Sequence, residues 1–263
     1  MENNIEKFPI LRLTREDEGS IEEVVAREFP VTIILNEQEL VTLLCSPSDL
    51  RYLAVGFLHS EGLLTSKDEI KKILVDDERG VVRVETVEEK ELAQDVLFKR
   101  IISTGCGRGA SFYSTADAAS QKVESRMEIS TDEVFTLVNE FQHGSHLYLT
   151  THGVHSAALC DRKSILVFGE DIGRHNAIDK IFGRCLLEDI PTDNRVIITS
   201  GRITSEILHK VSKRGIPIII SISAPTNLGV RLADSLGITL IASVRGKKMN
   251  VYTSDWRIVR DGK

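Results

Sequence analysis

Apolar positions change rhythm several times along this chain. Residues 1–25 are charged and hold no sustained period, which predicts an irregular lead-in. FPVTIILNEQELVTLLC (29–45) has two β-rich apolar runs around a polar turn at Asn36–Glu39, the signature of a hairpin. SPSDLRYLAVGFLHSEG (46–62) then takes up a helical period. Ser46 is placed to cap it, Pro47 to open it, Asp49 to complete a capping box and Gly62 to stop it. KKILVDDERGVVRVETV (71–87) predicts a second hairpin turning near Asp77–Gly80. A helix is expected over 132–142 after a Thr131 cap, two short strands over 153–171 around Asp161–Lys163, and a helix over 173–189. From 195 the pattern is clearest: RVIITS, SEILHKVSKRG, IPIIISIS, TNLGVRLADSLG, ITLIASV and MNVYTS read as strand, helix, strand, helix, strand, strand. Such succession predicts parallel pairing through right-handed crossovers. The expected architecture is an α/β sandwich, mostly parallel, with one antiparallel edge.

Open parallel sheets hold ligands beyond the carboxyl ends of their strands. Here those ends read SGRITS (200–205), SAPT (223–226) and VRGKK (244–248). Each offers small residues, hydroxyls or free amides, and two lead into helix N-termini, which favour phosphate. Arg202, Arg245, Lys247 and Lys248 bring positive charge to the same expected edge. Each segment alone reads as an ordinary helix cap or turn. Together they point to a phosphate-bearing ligand, with Ser200, Arg202, Thr204, Ser223 and Thr226 as candidate contacts.

Two other polar clusters stand out. In GEDIGRHNAIDK (169–180), His175 and Asp179 share a helical face, and Glu170 and Asp171 precede it; the spacing favours a solvated helix start over a ligand site. In THGVHSAAL (151–159), His152 and His155 would bind one metal ion only from a helix, because on a strand they point to opposite faces. A zinc deaminase needs His-x-Glu and Pro-Cys-x-x-Cys. Ala157 stands where that glutamate would, and no Pro-Cys-x-x-Cys follows, so deamination is a poor reading and no metal site is expected.

Composition narrows the field. The chain has 263 residues, 41% hydrophobic, and a net charge of −6, which argues against general binding to nucleic acid or acidic membranes. The longest apolar run, IPIIISI at 216–222, is too short to span a bilayer, and the polar start MENNIEKFP lacks a signal-peptide core. A cytoplasmic location is the expectation. Four cysteines, widely spaced and without a CxxC pair, exclude a disulfide scaffold or zinc knuckle. Cys45, Cys160 and Cys185 sit in apolar patterns and read as packing. Cys106 differs. In ISTGCGRGASF it lies among Gly105, Gly107 and Gly109 and near Lys99, Arg100 and Arg108. Glycine removes steric cover, and nearby cations favour the thiolate, the reactive form of the thiol. That setting suits nucleophilic attack or sulfur carriage.

The ordered set LRYLAVGFLHSEG, STGCGRG, GVHSAAL, EDIGRHNAIDK, TSGRITSEI, IPIIISISAPT and VRGKKMNVYT resembles the formate dehydrogenase accessory sulfurtransferases, FdhD. The resemblance implies a cytidine-deaminase-like three-layer α/β sandwich over 101–263, carrying the Cys106 loop, and a smaller α+β region over 1–100. It implies a sulfurtransferase that takes sulfur from a cysteine desulfurase as a persulfide on Cys106. The sulfur then passes to the molybdenum bis(molybdopterin guanine dinucleotide) cofactor, bound as a ligand, before that cofactor enters formate dehydrogenase. The family's cofactor-binding stretch falls on Ser243, Val244, Arg245, Gly246, Lys247 and Lys248. A homodimer is also implied. One departure matters: many members carry a second cysteine where this chain has Gly109. With no adjacent thiol to release the sulfur, transfer straight from the Cys106 persulfide, or an outside reductant, is expected. The competing readings are a chaperone that only shelters the cofactor and a hydrolytic nucleotide deaminase.

Overall fold

The computed structural model describes residues 2–88, 101–102, 110–111 and 122–260. The first departure from expectation is at the N-terminus. Strands β1 (Ile5–Leu13) and β2 (Glu18–Ala26) form an antiparallel ribbon in place of an irregular lead-in. The alternation was hidden because each face mixes apolar and charged residues: Phe8 and Ile10 share one with Glu6 and Arg12, Lys7 and Leu11 the other. Backbone ladder bonds hold the ribbon, with cross-strand pairs Lys7–Glu22 at 3.5 Å and Arg12–Glu23.

The next sheet gathers β3 (Phe29–Leu35), β4 (Gln38–Cys45), β5 (Ile70–Asp76) and β6 (Val81–Thr86) in the order β4-β3-β6-β5. Both expected hairpins are present. The first turns on Asn36 and Glu37, with φ of 46° and 67°, the doubly left-handed geometry that matches strand twist. Helix α1 (Leu50–Ser60) covers this sheet through Leu53, Ala54, Phe57 and Leu58. It starts later than expected, and Ser46 does not cap it. Asp49 holds the N-cap position with φ 59° and no side-chain bond. Buried Ser46 instead donates its backbone N–H to Asp171 Oδ2 at 3.0 Å and accepts the Ile172 N–H on its hydroxyl at 3.2 Å.

A two-residue ladder pairs β7 (Ile101–Ile102) with β8 (Ala110–Ser111). Beyond it come β9 (Ile129–Ser130), α2 (Thr131–Gly144) and α3 (His146–Thr151). Ser130, one residue before the expected cap, forms a complete capping box with Glu133. There follow β10 (His155–Cys160), β11 (Ile165–Asp171), α4 (Arg174–Leu187), β12 (Val196–Thr199), α5 (Ser205–Ser212), β13 (Ile218–Ser221), α6 (Asn227–Ser235), β14 (Thr239–Arg245) and β15 (Lys248–Val251). A last short strand, β16 (Ile258–Val259), pairs with β9.

The main sheet runs β11-β10-β12-β13-β14-β15. It is mixed, but parallel pairing is confined to β12, β13 and β14. Antiparallel strands flank them on both sides, not on one edge alone. The reason is strand order: β11 lies outermost, so its hairpin partner β10 is inserted beside β12 and runs against it. Periodicity encodes strands, not their neighbours. The three central strands are apolar on both faces because helices cover both. Ile197, Ile219 and Leu240 pack with Ile181, Phe182 and Leu208 of α4 and α5. Ile198, Ile218 and Ile220 pack with Val134, Leu137 and Phe141 of α2. Each such fully buried side chain contributes about 1.5–3 kcal/mol. The result is three layers, joined to the smaller sheet where α1 crosses α4.

Candidate functional site

Strand direction assembles one edge. The carboxyl ends of β12, β13 and β14 lie side by side. Because Ala157 pairs with Thr199, His155 with Asp171 and Arg245 with Lys248, the start of β10, the end of β11 and the start of β15 reach the same edge. Ser200, Arg202, Thr204, Ser223, Thr226, Ser243 and the Arg245–Lys248 turn therefore share it.

Hydrogen bonds run along this edge from loop to loop. Ser221 Oγ donates to the Gly201 carbonyl at 2.8 Å and accepts the Ser223 N–H at 2.9 Å. The Ser243 N–H donates to the Ser223 carbonyl at 2.9 Å, and Thr226 N–H to Ile203 at 2.9 Å. Ser243 sits at φ 56°, where the β14–β15 ladder shifts register, and Gly246 turns the hairpin at φ 55°. Arg202, Arg245, Lys247 and Lys248 are exposed on this edge.

Other candidates are already engaged. Val244 is 1% exposed and packs in the core, so only its backbone faces the edge. Thr226 Oγ1 accepts the Gly229 N–H at 3.1 Å as the cap of α6. Ser200 Oγ accepts the Ser156 N–H at 3.0 Å. Thr204 stands at the N-cap of α5 without capping it, and its buried hydroxyl oxygen has no hydrogen-bond partner among the described residues.

A cavity of about 550 Å³ opens beside Ser200. Phe141, Tyr148, Leu149, Ile172 and Ile222 give it apolar walls, and His155 and Ser200 stand in its lining. His155 Nδ1 lies 3.1 Å from Ser200 Oγ. Burial, then the cations Arg174 and Arg202, push the His155 pKa below the usual histidine value. Arg174 is buried, and its side chain lies against Gly201, where a Cβ would sit 2.9 Å from Arg174 Cβ. Sequence reasoning passed over Arg174. A signal existed: it is the first residue of α4, where the helix dipole disfavours a cation.

The GEDIGRHNAIDK segment is not a solvated helix start. Asp171 is fully buried, pairs with Lys180 at 2.7 Å and accepts the Gly173 N–H at 2.9 Å and an Asn176 side-chain N–H at 2.9 Å. Asp179 pairs with Lys210 at 2.5 Å and accepts the Ser60 hydroxyl at 2.7 Å. Glu170 accepts the Ser145 hydroxyl at 2.8 Å and two N–H groups at the start of α3. His175 is held neutral: burial first, then Lys210 and Arg174, lower its pKa to about 3, outweighing Glu206 Oε2 at 3.5 Å. The segment wires α4 into three neighbouring elements and so fixes the edge.

Cys45, Cys160 and Cys185 are buried, as their pattern predicted, and burial raises all three thiol pKa values, Cys45 and Cys185 to about 12. Cys106, Gly105, Gly107, Gly109, Lys99, Arg100 and Arg108 lie outside the described residues. Among the described residues no cluster could hold a metal ion, and no helix is long and apolar enough to cross a membrane. His152 is exposed at the end of α3, and His155 is on β10.

The family model described as the FdhD/NarQ family matches residues 26–259. The sulfur carrier protein FdhD of Bacillus pumilus (strain SAFR-032) is 41% identical over 260 residues, covering 98% of this chain and 99% of its own length. That of Bacillus subtilis (strain 168) is 43% identical over 248 residues, covering 93% and 95%. The crystal structure of a Desulfotalea psychrophila chain, assigned as a formate dehydrogenase accessory protein, superposes with a TM-score of 0.82 at 29% identity, covering 97% of this chain and all of that one.

Proposed function

Because the chain belongs to the FdhD/NarQ family, we propose that it is a sulfur carrier for formate dehydrogenase maturation, with Cys106 as the carrying thiol. A cysteine desulfurase presents a persulfide. The Cys106 thiolate attacks its outer sulfur, the S–S bond breaks, and the desulfurase cysteine leaves as a thiolate. Cys106 then holds the persulfide; its S–S bond breaks, Cys106 leaves as the thiolate, and the outer sulfur passes to the molybdenum bis(molybdopterin guanine dinucleotide) cofactor, the two electrons that reduce it to sulfide coming from the metal or from an external thiol reductant. The cofactor is cargo, gripped through its phosphates.

The observation that carries this reading is the common edge of the main sheet. Arg202, Arg245, Lys247 and Lys248 are exposed there beside unusual backbone at Ser243 and Gly246. Exposed cations beside such backbone suit pyrophosphate. The adjoining cavity of about 550 Å³ is large enough for an aromatic ring system of the same ligand.

The test is complementation. Cells lacking the protein receive wild type or Cys106→Ala, and formate dehydrogenase activity and cofactor binding are measured together. Wild type restores activity. Cys106→Ala binds the cofactor and restores none. Restoration by Cys106→Ala would replace sulfur carriage with a sheltering role.

A further inference from the structure

The described residues place one titratable side chain at the join between cavity and charged edge, and no role in sulfur carriage accounts for it. His155 opens β10, between β11 and β12. Its ring is braced through Nδ1 against Ser200 Oγ, which is fixed in turn by the Ser156 N–H. With one nitrogen engaged, the other has no hydrogen-bond partner among the described residues and can meet a ligand in the cavity that His155 lines.

The titratable and charged groups around His155 come from several elements, with Tyr148 of α3 and His152 at its end lining the same cavity. Arg202 follows β12, Arg174 and His175 open α4, Asp171 ends β11, and Glu170 pairs across from Ser156. Glu170 is bonded to Ser145 and α3, and Asp171 to Lys180. After burial, the two arginines therefore dominate, and together these lower the pKa of the imidazole. An anion bound between them would offset their field and supply a new acceptor. Both changes favour the imidazolium.

We propose that His155 is a ligand-contacting residue of this site, and that its imidazole, braced by Ser200 and flanked by Arg174 and Arg202, takes up a proton as the phosphate-bearing ligand binds. This rests on the reading of the edge as a phosphate site. The sign follows from linkage. The free site binds fewer protons than the occupied one, so affinity rises as pH falls towards the free-site pKa and levels off below it.

The probe is a guanosine diphosphate sugar. Both its phosphates are esterified, so it lacks the titration at about pH 6 of a phosphate monoester. Affinity is measured by calorimetry from about pH 5.5 to pH 8, across the histidine range. Wild type binds more tightly at low pH, by up to about tenfold per unit while one proton is taken up. His155→Gln gives a flat profile. Arg202→Gln, at an exposed position, binds more weakly and with a shallower slope. A flat wild-type profile overturns the inference and leaves the phosphate site standing. So does a slope that survives His155→Gln, is untouched by Arg202→Gln, or is lost instead in His152→Gln or His175→Gln. No binding by wild type at any pH overturns the phosphate-site reading, and the inference with it.

Discussion

Gly56 and Gly183 face each other across the α1–α4 crossing with no room for a side chain between them. A methyl group on Gly56 would lie 1.8 Å from the Asp179 carbonyl oxygen, and one on Gly183 1.9 Å from that of Tyr52. Both contacts are with backbone, which cannot rotate away. Gly56→Ala and Gly183→Ala should therefore each destabilise the fold by about 3 kcal/mol or more, the upper range for overpacking. Urea unfolding checks this, and a cost within experimental error would contradict the packing described.

The same crossing carries a buried ion pair. Asp179 and Lys210 are 1% and 9% exposed, and Ser60 of α1 adds its hydroxyl to the carboxylate. Removing one partner strands the other charge, so Asp179→Ala should cost about 3–5 kcal/mol. The pair Asp179→Leu with Lys210→Met should recover much of that loss. A double variant no better than Asp179→Ala would show that the pair's value lies in its hydrogen bonds.

Acid should weaken the fold by way of two histidines. Burial lowers the pKa of His175 to about 3 and of His59 to about 4. Below the unfolded value near 6.5, the unfolded chain binds protons that the folded chain refuses. Stability is then complete above about pH 6.5 and falls as pH drops towards 4, by at most about 1.4 kcal/mol per unit for each group. Unfolding free energies at several pH values should show this slope, reduced in His175→Gln. An unchanged slope in that variant would remove His175 from the account.

Thiol chemistry should single out one cysteine. Cys45, Cys160 and Cys185 are buried with raised pKa values. Iodoacetamide acts on thiolates, so the native protein should gain one adduct, at Cys106, and Cys106→Ala none. Rapid labelling of Cys185 would contradict the packing of α4.

Much of this was legible in the sequence where local pattern decides structure. The apolar runs around 196–199 and 218–221 are buried strands as read, and Gly62, Gly215 and Gly237 marked the ends of α1, α5 and α6. Legibility failed where a residue answers to a distant partner. Ser46 has a capping residue's chemistry, but its partners, Asp171 and Ile172, lie at and just beyond the end of a strand in another sheet. Asp179 and Lys210 look like surface charges until packing joins them. For the candidate site, the charged strand ends could be read from spacing. The brace between His155 and Ser200, 45 residues apart, could not.

The central claim is that Cys106 carries sulfur, and peptide mass spectrometry tests it most directly. The protein is incubated with an active cysteine desulfurase and cysteine, then digested. The mass of one sulfur atom should appear on the peptide containing Cys106, and be removed by a thiol reductant. An unmodified peptide beside a desulfurase shown to be turning over would contradict the account.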